Sequence, residues 1–170
     1  NILATLAAAT IFYVSPWLIL TIISGLVLLV LVILRLDLGL ALVALFAPFF
    51  MLPRQLFESA FSMSELVLIM CVVAFAVRGA WSVRQIRSLR ITRFALRITL
   101  LDWSVLAFLL VSIASTLLAD YKVFALRELR VIILEPVIYY ALIRVAKLDD
   151  KAIWRSVDAL IVAGVLIAVI

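Results

Sequence analysis

The chain has 170 residues, of which 69% are apolar, and carries 15 basic and 10 acidic side chains for a net charge of +5. Soluble domains hold roughly 45–50% apolar residues, and a core of this size could not hide the excess from water, which excludes an ordinary soluble domain. The sequence contains no histidine, so the commonest general base and metal ligand are missing, and its basic excess is read as cytoplasmic loops rather than a nucleic-acid surface.

A membrane helix needs roughly 20 mainly apolar residues, and the apolar runs follow in order. The first, Ile2 to Val14, stops at Ser15-Pro16, where Trp17 is placed as an interfacial anchor. The second runs from Trp17 to Leu34 and ends at Arg35-Leu36-Asp37. The third, Leu38 to Leu52, contains Pro48 and closes at Pro53 ahead of a polar stretch from Arg54 to Ser64. The fourth, Glu65 to Val77, holds the single cysteine, Cys71, read as a small apolar packing residue. A basic segment at 82–101 follows, with arginines at 84, 87, 90, 93 and 97 interleaved with apolar residues. This pattern predicts a segment lying on an anionic membrane surface. The fifth run is Trp103 to Ala119, the sixth Val131 to Ile143 and the seventh Ala159 to Ile170. A polar external segment at 120–130 separates the fifth from the sixth.

These runs are apolar on every side, whereas membrane barrel strands alternate. The predicted class is therefore all-α: a polytopic transmembrane helix bundle of about seven membrane helices forming a single membrane domain over 1–170. The chain opens at Asn1 and closes within an apolar run, so the first and last helices are expected to be truncated, in the N-terminal part of a longer protein. Alternating the runs around the basic segment puts eleven basic residues on one side, among them Arg35, Arg78, Arg144 and Arg155. Four fall on the other: Arg54, Lys122, Arg127 and Arg130. The positive-inside rule then makes the eleven-residue side, and the chain start, cytoplasmic.

One segment carries chemistry. From Asp120 to Tyr140 the chain places basic and acidic groups at or just below the outer face, ahead of Pro136. At about 100° per residue, Glu128, Glu135 and Tyr139 share a face of an unbroken helix, while Arg127 and Arg130 face away. Pro136 cannot donate to Ile132, which predicts a kink there. A structural ion pair plus a kink would explain the pattern. So would a polar cavity lined by Glu128, Glu135 and Tyr139, in which Arg127 and Arg130 meet an anionic lipid headgroup through their forked donors.

Several motifs occur in a characteristic order. They are the Ser15-Pro16 break, Leu36-Asp37-Leu38-Gly39-Leu40, Met63-Ser64-Glu65-Leu66 opening a helix, Leu110-Val111-Ser112, Ala125-Leu126-Arg127-Glu128-Leu129-Arg130 and Glu135-Pro136-Val137-Ile138-Tyr139-Tyr140. Together they resemble the N-terminal half of the O-antigen ligase and O-antigen polymerase family of bacterial envelope proteins. The resemblance implies a glycosyltransferase of the bacterial plasma membrane. It would move a glycan from undecaprenyl-diphosphate to a glycan, lipid A core or protein acceptor in polysaccharide or lipopolysaccharide biosynthesis. It implies no cofactor and no metal, and it places the essential arginines and histidine of such enzymes in later helices. None of those residues can be carried over to this sequence; Arg127 and Arg130 are candidate diphosphate contacts from their predicted outer-face location. A membrane transporter or flippase subunit is the alternative, with the same residues lining a substrate path, and a structural scaffold is a third.

Overall fold

The computed structural model describes residues 2–14, 17–49, 54–56, 59–85, 99–146 and 148–169. The Ser15-Pro16 break, Pro53 and the arginines at 87, 90, 93 and 97 fall outside them. All the long elements are helices, as the class predicts. The polar stretch after the third run adds a short antiparallel hairpin, β1 (Arg54–Leu56) with β2 (Ser59–Phe61), pairing Arg54 with Phe61. Apolar periodicity gave no sign of it, because three-residue strands are too short to show a pattern. The chain divides into two compact units, residues 1–82 with 146–170, and residues 83–145.

In the larger unit, α1 (Ile2–Val14) packs on α2 (Leu18–Leu34). They approach closely because Gly25 has no side chain: a Cβ there would lie 3.0 Å from the Phe12 ring. Arg35, in a non-helical conformation, separates α2 from α3 (Leu36–Phe46), which ends in a 3-10 turn over Ala47–Phe49 where Pro48 falls. Next comes α4 (Met63–Gln85), which starts where the sequence placed a helix opening. There Ser62 Oγ accepts the Glu65 backbone N–H at 3.1 Å, satisfying one of the amides orphaned at a helix start. The last helix, α8 (Asp150–Val169), runs beside α3, and Arg155 Nη1 donates to Asp37 Oδ2 near the start of both. The two helices therefore run parallel.

Among the described residues, α5 (Leu100–Leu118) and α8 are long and apolar enough to cross a membrane, while α2 and the α3 region are shorter apolar helices. The structure thus supports a helical protein with two such helices, short of the seven predicted. Both are far from buried: 6% of the α5 window and 17% of the α8 window are covered. The core helix of a soluble protein would be mostly hidden.

The covered residues add a second argument. In α2 they are Thr21, Ser24 and Gly25, with Leu28 and Val32 further along, while Ile19, Ile22, Ile23 and Leu26 point outward. In α8 they are Ala152, Ser156 and Ala163, and in α5 only Ser112. In α5, α8 and the first half of α2, the arrangement of small and hydroxyl side chains inward with aliphatics outward reverses the water-soluble pattern. It suits helices that lipid solvates and that need close backbone approach to associate. The inward hydroxyls are satisfied locally: Ser24 Oγ donates to Leu20 O at 2.7 Å and Ser112 Oγ to Phe108 O at 2.8 Å.

The smaller unit is a helical hairpin of α5 and a long returning helix. That return consists of α6 (Lys122–Glu128), a π-helical stretch over Leu129–Leu134 and α7 (Glu135–Val145). The antiparallel direction follows because Asp102, in the first turn of α5, meets Arg144, in the last turn of α7.

Candidate functional site

Arg127, Glu128, Arg130, Glu135 and Tyr139 all lie on the returning helix of the hairpin, spread across its three segments. Arg127 and Arg130 are exposed, as is Glu128, whereas Glu135 and Tyr139 are half-buried. Around the arginines the surface is aromatic and apolar as well as basic. Tyr121, Val123, Phe124 and Leu126 are all exposed beside Lys122. Such a mixture is typical of a segment at a lipid–water boundary, where Tyr sits at headgroup level and cationic groups reach phosphate.

The kink expected near Ile132 takes the form of a widened helical stretch. Glu135 N–H bonds to Arg130 O, five residues back, instead of the carbonyl four back. The widening absorbs the missing donor and the ring bulk of Pro136 one residue later. Single π turns of this kind recur at functional sites in helices.

They also change angular register. Taking up one extra residue offsets the side chains beyond the turn by about 100° relative to a continuous α-helix. The sequence-based face of Glu128, Glu135 and Tyr139 assumed no such interruption. Glu135 and Tyr139, four apart within α7, keep a common face, and Glu128 is carried off it.

At the other end of α7 lies a cluster that sequence reasoning missed. Asp102 Oδ2 accepts the Thr99 backbone N–H at 2.5 Å and the Thr99 hydroxyl at 2.9 Å, closing a capping box on α5. Its other oxygen accepts the Tyr140 hydroxyl at 2.8 Å and pairs with Arg144 Nη1. Arg144 Nη1 also donates to Tyr140 Oη at 2.9 Å and Thr99 Oγ1 at 3.0 Å. Two local signals were present: Thr-x-x-Asp at a helix start, and Tyr140 with Arg144 at i, i+4 spacing. Nothing local pairs residues some forty positions apart.

The cluster fixes one end of α7 against α5, leaving the exposed arginines at the far end of the π stretch. Asp102→Arg and Arg144→Asp should each loosen the hairpin, and the double exchange should restore it. The check is cross-linking between cysteines introduced at Leu101 and Val145, strong in the wild type and the double exchange and weak in the single variants.

Among the described residues there is no group of three or more His, Cys, Asp or Glu that could hold a metal ion. The site's resources are two exposed guanidinium groups, a half-buried carboxyl and a phenol. They can bind an anion and orient it. No family model, curated protein or solved structure matches the chain.

Proposed function

We propose that the chain is the membrane part of an O-antigen-ligase-like glycosyltransferase, with several helices crossing the bacterial plasma membrane and its start in the cytoplasm. Arg127 and Arg130 would hold the diphosphate of an undecaprenyl-linked glycan at the outer face. One observation carries the reading: two exposed arginines flank the start of a π stretch, on a helix whose surrounding surface is aromatic and apolar. A diphosphate on an isoprenoid tail needs this combination, forked donors for its oxygens beside a surface the tail can touch. The inward-small, outward-aliphatic helices support the membrane placement, and so does the pairing of helix ends. Asp37 with Arg155 and Asp102 with Arg144 each join segments that the positive-inside rule puts on one side.

In the reaction, an acceptor hydroxyl attacks the anomeric carbon. The new bond forms from its oxygen as the bond from that carbon to the diphosphate breaks, and the electron pair leaves on the phosphate oxygen. Arg127 and Arg130 would stabilise the charge growing on that leaving group. The hydroxyl proton must pass to a base, which would be supplied from outside this histidine-free stretch.

Replacing both arginines with Ala in the full-length protein should lower glycan transfer by at least about a hundredfold, since removing one preorganised charge contact costs that order. Wild-type transfer by the double variant would overturn the proposal. Loss of lipid-linked glycan movement across the membrane, with transfer intact on supplied substrate, would favour the transporter reading.

A further inference from the structure

The larger unit holds a groove of about 260 Å³ between α1, α3 and α8. Its walls are Leu6, Leu38, Ala41, Leu45 and Val162, and its polar residues include Arg155 and Asp158 on α8. Because α3 and α8 run parallel from the Asp37–Arg155 contact, these two charges mark one end and Leu45 and Val162 the other. From Arg155 to Val162 the helix rises about 10 Å. The groove therefore has the form of an amphiphile site, charged at one end and aliphatic beyond it.

We propose that it seats one tail of an ethanolamine-headed phospholipid, with the phosphate on Arg155 and the ammonium on Asp158. The charges select this head. Arg155 is half-exposed and donates to Asp37 through one of its five N–H groups, so the planar fork can serve a phosphate as well. Asp158 is exposed and three residues along the same helix, which puts the two side chains roughly 5–6 Å apart at Cβ. A phosphate and an ammonium two carbons away span a similar distance. A choline head offers no N–H to the carboxylate, and a glycerol head brings no positive charge to it. The inference rests on the membrane placement above and is independent of the transferase chemistry.

The test is reconstitution of the full chain into nanodiscs of equal parts phosphatidylethanolamine, phosphatidylcholine and phosphatidylglycerol, followed by native mass spectrometry of the lipids retained on release. The wild type should keep phosphatidylethanolamine over phosphatidylcholine by about fivefold, the ratio expected for one net hydrogen bond near 1 kcal/mol. Asp158→Asn should abolish that preference while retaining lipid, and Ala41→Trp, which fills the groove, should reduce all retained lipid. Retention in proportion to the disc composition, or a preference unchanged in Asp158→Asn, would overturn the inference alone. A chain that stays outside the discs would overturn it together with the membrane placement.

Discussion

Gly39→Ala should destabilise the larger unit by about 1–3 kcal/mol, the usual cost of forcing extra volume into a filled core. Gly39 sits in α3 where α2 and α4 both press on it. A Cβ added there would lie 2.7 Å from Val32 Cγ1 and 2.8 Å from Cys71 Sγ. Contacts that short do not persist, so something must move. Neither neighbour can give easily, because Val32 and Cys71 are both fully buried. Val32 is also β-branched and holds a narrow choice of rotamer in a helix.

The effect should grow steeply with size, so that Gly39→Leu prevents stable assembly. Compensation is specific: Gly39→Ala combined with Val32→Ala and Cys71→Ala should recover part of the loss by removing both obstructing atoms. Thermal unfolding in detergent, followed by far-UV circular dichroism, reads all of these variants. A Gly39→Ala protein as stable as the wild type would mean that the three helices do not meet at this glycine.

Deleting Ile132 should lower the proposed glycan transfer by at least about a hundredfold while leaving the helices in place. The π stretch Leu129–Leu134 contains the one extra residue that a continuous α-helix would not need. Removing a residue there lets the return helix close up as an α-helix, at the expense of crowding against Pro136. The end of α7 is held by Asp102, so the turn is taken up on the α6 side, and Arg127 rotates by about 100° about the helix axis. Glycan transfer should then fall as far as in the double arginine variant, with unchanged helical content. Deleting an exposed residue outside the π stretch, such as Val123 near the start of α6, should be much milder for Arg130, which lies beyond it. Equal transfer by the Ile132 deletion and the wild type would mean that the register set by the π stretch is irrelevant to the site.

Much of the helical framework was legible in the sequence because long apolar helices advertise themselves by composition. The first run coincides with α1, the second differs from α2 by one residue, and Met63 opens α4 as read. The ends were less legible. An apolar run measures what lipid must solvate, whereas a helix continues for as long as its backbone bonds do. Hence α8 starts at Asp150, well before Ala159, and carries Arg155 and Asp158 within it. The same gap left the extent of the return helix open. Its charged first half was read as a polar external segment, while the shared face of Glu128, Glu135 and Tyr139 assumed a helix running on.

At the site, the residue types were visible and their arrangement was not. Pro136 announced a disruption, but only hydrogen-bond geometry distinguishes a kink from a π turn, and that choice decides which face Glu128 shares. The Asp102–Tyr140–Arg144 cluster was beyond the sequence for a different reason. Its members are scattered over two helices, and each has an ordinary local role as a cap residue or as one of an i, i+4 pair.

The central claim, that Arg127 and Arg130 form a diphosphate site at the membrane surface, is tested most directly by binding. The full chain, in nanodiscs of phosphatidylcholine, would be titrated with undecaprenyl diphosphate and with undecaprenol, and binding followed by native mass spectrometry. The account predicts a clear preference for the diphosphate over the uncharged alcohol, reduced at least about tenfold in the Arg127→Ala, Arg130→Ala double variant, since charge-assisted hydrogen bonds contribute about 1.5–3 kcal/mol each. Equal binding of the two lipids, or a preference that survives loss of both arginines, would contradict it.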